Sequence, residues 1–227
     1  MMKRTAEVKI THFLEELPVH LHFRNDLHLM RKLWHSVMGL MIAFIYMSGI
    51  SKSLAILILG SVFGFDLLME TLRLRSPAVN DKMLRFWGSI LRRHEAHQMS
   101  TIPHYLASVM LAILIFPRPV ATLSILYLAC GDPMASLVGI LYGHRGPRFA
   151  DGKSWIGTAA GVMTCTFISL VFLSSLSLSS SAFLFISLMG GLAGGLAELL
   201  PIDIDDNFTI PVVSGFVLWL AFMVSGV

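Results

Sequence analysis

The chain has 227 residues, of which 55% are hydrophobic and 14% charged, against about 25% charged in ordinary soluble domains. That balance excludes a soluble globular fold. The formal net charge of +3 does not point to nucleic acid, because the basic residues form no single cluster interleaved with aromatics. Cys130 and Cys165 each sit inside an apolar run, which excludes a disulfide framework and a C-x-x-C thiolate metal site and leaves packing as their expected role.

The N-terminus lacks the apolar run and small-residue cleavage site of a secretory signal, and the chain is read as mature. Residues 1–30 are expected to be an amphipathic interfacial segment, since Ile10, Phe13, Leu14 and Leu17 recur at i, i+3, i+4 and i+7. Residues 31–227 then form one transmembrane body without an internal repeat. Apolar stretches long enough to cross about 30 Å of hydrocarbon predict seven spans, at 33–50, 53–69, 101–116, 119–142, 154–176, 181–200 and 208–227. The fold class is therefore all-α and polytopic. In the long connection from Glu70 to Ser100, Met83, Trp87, Ile90 and Leu91 predict a second interfacial amphipathic helix.

Lys and Arg are retained on the cytoplasmic side of membranes. Fifteen of the seventeen basic residues fall before span one, between spans two and three, or between spans four and five; only Lys52 and Arg118 lie opposite. The N-terminus and the polar chemistry are therefore expected to face the cytoplasm, where the acidic residues and histidines also gather.

A carboxylate within a span costs several kcal/mol and marks a functional site by default. Asp132 lies in the fourth apolar stretch directly before Pro133, and an Asp-Pro pair reads as a helix start. The stretch is accordingly expected to be two half-helices broken at 131–133, with a positive dipole end suited to a phosphate or a metal-bound phosphate. From Asp132, spacings of 3, 4 and 4 place Ala135, Gly139 and Gly143 on one helix face. Such a strip serves close helix packing, yet this one runs on into a basic loop carrying Lys153, Ser154 and Gly157. Gly190, Gly191, Gly194 and Gly195 form two overlapping Gly-x3-Gly strips, expected to pack helices. His94-Glu95-Ala-His97 has its histidines three apart rather than the four that a zinc-protease helix needs.

The pattern Asp132-x2-Ala135-x3-Gly139-x3-Gly143-x9-Lys153-Ser154-x2-Gly157 resembles the CTP-binding motif of the dolichol kinase, phytol kinase and CTP-dependent diacylglycerol kinase family. These are polytopic membrane enzymes distantly related to phosphatidate cytidylyltransferases. The resemblance extends over residues 28–215, through Arg31-Lys32 with His35, Glu70 with Arg73 and Asn80, Arg93 with Glu95, and Glu198 followed by Asp206-Asn207. It implies γ-phosphoryl transfer from CTP, with Mg²⁺, to the hydroxyl of a membrane lipid alcohol of polyprenol, diacylglycerol or phytol type. Asp132 would hold the metal, with Glu198 or Asp206 as further ligands. Lys153 and Ser154 would contact the phosphates, and Gly139 and Gly143 would let the triphosphate approach the backbone. Ala135, Gly157 and Asn207 complete the nucleotide set, while Glu70, Glu95 and His35 are candidates for the base.

The Pro-Gly-His-Gly-Gly loop of the cytidylyltransferases is absent from this sequence, so CDP-lipid synthesis is the alternative. A transporter is a second alternative, but it gives no reason for the Lys153-Ser154-x2-Gly157 extension. Partners are expected to be CTP, a lipid alcohol and the bilayer, with no nucleic acid; self-association is left open.

Overall fold

A computed structural model describes residues 28–149, 152–200 and 205–227, except the side chains of Arg93 and His94. The expected amphipathic segment at 10–17 and Asp203 of the acidic turn lie outside the described residues. The described residues are helical throughout, without a strand: α1 (Leu29–Met47), α2 (Lys52–Arg75), α3 (Pro77–Trp87), α4 (Ile102–Ile115), α5 (Arg118–Leu126), α6 (Asp132–Tyr142), α7 (Trp155–Leu173), α8 (Ser180–Leu196) and α9 (Asp206–Val224). Short 3₁₀ turns cover Arg93–Ala96, Gly143–Arg145 and Ala197–Leu199.

Five of the seven expected spans are long and apolar enough to cross a membrane: α2, the continuous run Arg118–Arg145, α7, the run Ser180–Leu199, and α9. The two others are α1, which carries Arg31 and Lys32 in its first turn, and α4, which has only 14 residues.

The described chain divides into two compact units, one of Met69–Ser100 with Arg31 and one of Lys32–Leu68 with Thr101–Val227. In the larger unit the glycine strips do what their spacing predicts. Lipid tails are as apolar as leucine, so helices in a bilayer associate through close backbone contact and small residues. A Cβ on Gly191 would fall 2.8 Å from the Cα of Thr166 on α7, and one on Gly195 would fall 2.4 Å from the backbone nitrogen of Val162. On the neighbouring face, a Cβ on Gly194 would meet the Tyr127 ring at 2.8 Å and Cys165 Sγ at 2.9 Å. Both free cysteines are half-buried or buried. Val109, Ile113, Leu123, Leu128, Ile186 and Leu218 fill the core around this contact.

The break expected at 131–133 does not form. Gly131 and Asp132 keep right-handed helical backbone angles, and the chain passes from α5 to α6 through a π-helical turn, Tyr127–Gly131, in which the Asp132 N–H donates to the Tyr127 carbonyl. Pro133 has no N–H for an i→i−4 bond and would ordinarily kink or end the helix. Widening the turn by one residue shifts the ladder past it, so the run stays helical from Arg118 to Arg145. Asp132 is thus a residue within a continuous run, at helical backbone angles rather than the extended ones of an N-cap.

Candidate active site

Lys153 is delivered by a tight turn. Phe149 N–H donates to the Lys153 carbonyl at 2.8 Å and Gly152 N–H to the Phe149 carbonyl at 2.9 Å. Gly152 takes φ +85°, a conformation that L side chains rarely adopt. The Arg148 guanidinium closes on the Gly152 carbonyl at 2.8 Å, and the Phe149 and Trp155 rings stack at 4.6 Å. Directly after this turn Ser154 caps α7, accepting the Gly157 N–H at 2.9 Å. Asp205 caps α9 in the same way, accepting the Asn207 N–H at 2.9 Å.

These two capped helix starts are tied together by charge. Lys153 Nζ lies 3.0 Å from both carboxylate oxygens of Asp206, bonds the Glu198 carbonyl, and stands 3.9 Å from Glu198 Oε2. Thr158 Oγ1 donates to the other Glu198 oxygen at 2.9 Å. Thr158 escaped the sequence reading, although its place one turn after Ser154 puts it on the same helix face. Asp132 is within electrostatic reach of Asp206, Glu198, Asp205 and Lys153. Lys153, Glu198, Asp206 and Asp132 are thus brought together, from positions up to 74 apart in sequence.

The strip from Asp132 to Gly143 lies against α7. A Cβ on Gly157 would fall 2.6 Å from the Ala135 carbonyl and 2.9 Å from Gly139 Cα, and one on Gly143 would fall 2.8 Å from Ser154 Oγ. Ala135, Gly139, Gly143, Ser154 and Gly157 are therefore one helix–helix contact. Its closeness sets where Lys153 emerges. Asn207 turns inward: its amide donates to Asp205 Oδ1 at 2.6 Å, and its carbonyl accepts from Ser108 Oγ at 2.7 Å. Pro211, one turn on, has no N–H to offer that carbonyl.

His35 is buried on α1, its Nε2 2.9 Å from the Leu128 carbonyl and 4.0 Å from Asp132 Oδ2. A carbonyl only accepts, so Nε2 carries a proton. The Tyr105 ring meets the imidazole edge-on at 4.7 Å, and Tyr105 donates its hydroxyl to the His35 carbonyl at 3.3 Å.

Glu70 and Glu95 belong to the smaller unit, where both are engaged. Arg73 grips Glu70 with two bonds, Nε to Oε1 at 2.9 Å and Nη2 to Oε2 at 2.7 Å, and Ser100 N–H donates to Oε2 at 3.0 Å. Arg31 grips Glu95 at 2.8 and 3.2 Å, and Arg92 N–H adds a bond at 2.7 Å. Burial alone would raise the Glu95 carboxyl, but the Arg31 guanidinium and the Arg92 amide and charge outweigh it and hold the group below the usual carboxylate range. Asn80 completes the clamp, accepting from Arg73 at 3.3 Å and donating to the Ala96 carbonyl at 3.0 Å. In α3 the buried positions are Asn80 and Leu84, the latter packed with Leu91 and Ala96, while Phe86 and Trp87 are exposed.

Among the described residues, no three His, Cys, Asp or Glu side chains stand close enough to form a metal cage. Mg²⁺ seldom uses one. It binds through one or two carboxylates, retained waters and phosphate oxygens, and Asp132, Glu198 and Asp206 are donors of that kind.

Comparison with known proteins finds relatives of two kinds. The chain is 32% identical over 202 residues to the CTP-dependent diacylglycerol kinase 1 of Eremothecium gossypii, covering 81% of this chain and 64% of that protein. Against the CTP-dependent diacylglycerol kinase 1 of Saccharomyces cerevisiae it is 29% identical over 202 residues, covering 81% and 70%. Against a probable chloroplastic phytol kinase 2 of Glycine max it is 28% identical over 167 residues, covering 64% and 54%. The chain thus spans a little under two thirds of the first relative's length and about half of the last. No family model matches it, and no solved structure does. Fold and site define a helical integral membrane protein with a lysine–carboxylate centre. Its homologues are CTP-dependent diacylglycerol kinases and phytol kinases, which is the family that the sequence motif resembles.

Proposed function

We propose that this protein transfers the γ-phosphoryl group of CTP to the hydroxyl of a membrane lipid alcohol, with diacylglycerol as the first acceptor to test. The observation that carries the proposal is the pairing of Lys153 with Asp206 at the adjoining starts of α7 and α9, in a chain whose relatives at this level of identity are named CTP-dependent diacylglycerol kinases. Helix starts present backbone N–H groups and a positive dipole end to anions. Lys153 supplies a movable cation, which exchanges Asp206 for a phosphate oxygen when the triphosphate enters. Asp132, with Glu198 or Asp206, would hold Mg²⁺. The ion would neutralise charge on the transferring phosphoryl group.

Phosphoryl transfer needs positioning and charge neutralisation more than covalent chemistry. Ser154 and Gly157, packed on Gly139 and Gly143, hold Lys153 at a set height. Glu70 and Glu95 have arginine partners on both oxygens, so in this proposal they brace the Met69–Ser100 unit and take no proton from the acceptor. Residues 31–227 form the catalytic body and 1–30 its interfacial anchor. The site faces the cytoplasm, where the basic residues concentrate. Purified protein supplied with CTP, Mg²⁺ and a panel of diacylglycerol, polyprenol and phytol tests the reading. CDP and a phosphorylated lipid are expected, whereas pyrophosphate release would establish a cytidylyltransferase instead.

A further inference from the structure

Two prolines in this fold each deprive a carbonyl of its helical partner, and each time a side chain from another helix fills the gap. At Pro211 the carbonyl of Asn207 is taken by Ser108 Oγ at 2.7 Å. At Pro133 the π-helical turn sends the Asp132 N–H to Tyr127, and Pro133 itself has none to give. The Leu128 carbonyl therefore loses both its i+4 and its i+5 donor, at a position that is 0% exposed. A buried carbonyl without a donor is costly. His35 Nε2 supplies the bond at 2.9 Å.

The imidazole is prevented from turning away. Tyr105 stands edge-on to it, and Gly39, one turn later on α1, lets the backbone approach so closely that a Cβ there would fall 2.4 Å from Tyr105 Oη and 2.5 Å from Ala129 Cβ. Without the His35 bond, the segment can recover a donor for Leu128 only by re-registering toward α-helical bonding. That change would rotate Asp132, which begins at the end of the turn.

We propose that His35 is a positioning residue that locks the Tyr127–Gly131 turn and so aims the Asp132 carboxylate. Nε2, the nitrogen nearer Asp132, donates to the Leu128 carbonyl and so is not the atom that takes the acceptor's proton. The role assigned to Asp132 rests on the proposed phosphoryl transfer, but the bond to Leu128 does not, and two measurements separate them.

The first is thermal unfolding of the full chain in detergent for His35→Leu, Pro133→Ala and the double variant. Alanine at 133 restores an N–H, and either helical register then gives Leu128 a backbone donor. His35→Leu should lower Tm by roughly 3–10 °C alone and by less than half as much beside Pro133→Ala. Equal losses in both backgrounds would overturn the assigned bond, whatever the enzyme does.

The second measurement is CTP-dependent phosphorylation of diacylglycerol. His35→Leu should lower kcat at least about tenfold with KM for CTP changed less than twofold, because Lys153 is untouched. His35→Gln, whose amide can donate to the same carbonyl but cannot act as a base, should recover kcat to within about threefold of the parent. A folded His35→Gln variant as inactive as His35→Leu would make His35 the base. A parent chain without this activity would refute the proposed function and leave the unfolding cycle to decide the bond.

Discussion

Arg73 offers the sharpest test of how the Met69–Ser100 unit is held. Its side chain is fully buried, and its five N–H donors make five bonds: two to Glu70, one to Asn80 Oδ1, and one each to the carbonyls of Glu95 at 2.9 Å and Gln98 at 2.7 Å. Arg73→Lys keeps the charge but offers three donors on a compact ammonium, so at least two buried acceptors lose their partner. At about 1–3 kcal/mol for each, the unit should lose roughly 2–6 kcal/mol of local stability. A factor of ten in an equilibrium corresponds to about 1.4 kcal/mol, so amides between 92 and 100 should exchange with solvent from about 30-fold to on the order of 10⁴-fold faster. Hydrogen exchange read by mass spectrometry on the full chain in nanodiscs measures this, with exposed Lys82→Ala as the control. Exchange in Arg73→Lys within threefold of the parent would show that the fork is not what closes the unit.

Asp132→Asn removes a charge while keeping shape; since the carboxylate lies within electrostatic reach of Asp206, Glu198 and Asp205, Tm should hold or rise while CDP release falls by on the order of 10². Glu95, with its pKa lowered in the folded chain, adds stability that is complete above its unfolded value and lost only as pH falls through the lower folded one. Protease resistance of the 70–100 segment should therefore stay flat down into the ordinary carboxylate range, and Arg31→Gln, which leaves burial to raise the pKa, should move the loss to higher pH. Gly191→Ala places a Cβ 1.8 Å from Thr166 Oγ1 and 2.8 Å from Thr166 Cα, and overpacking of this kind costs about 1–3 kcal/mol. Thermal scans should show Gly191→Ala destabilised and Gly64→Ala, with nothing within 4 Å, unaffected.

Hydropathy and helical spacing are properties of neighbouring residues, and they determined the all-α membrane character, the glycine contacts of α8, and the face that carries Asp132, Ala135, Gly139 and Gly143. The same local signals marked Lys153-Ser154 as more than a packing element. Which residues those groups meet was beyond them. That Asp206, more than fifty residues later, would neutralise Lys153, and that Ser154 and Gly157 would sit against Gly139 and Gly143, follows from how α6, α7 and α9 pack. Glu70, Glu95 and His35 looked alike as proton acceptors because a sequence shows a titratable group without its partners. Only the fold shows that Glu70 meets Arg73, Glu95 meets Arg31 and His35 meets the Leu128 carbonyl. Even Pro133, visible at once as a missing N–H, could not announce its outcome. A broken helix and a π-helical turn both accommodate it, and the decision fell to a histidine nearly a hundred residues earlier that could donate to the carbonyl left over.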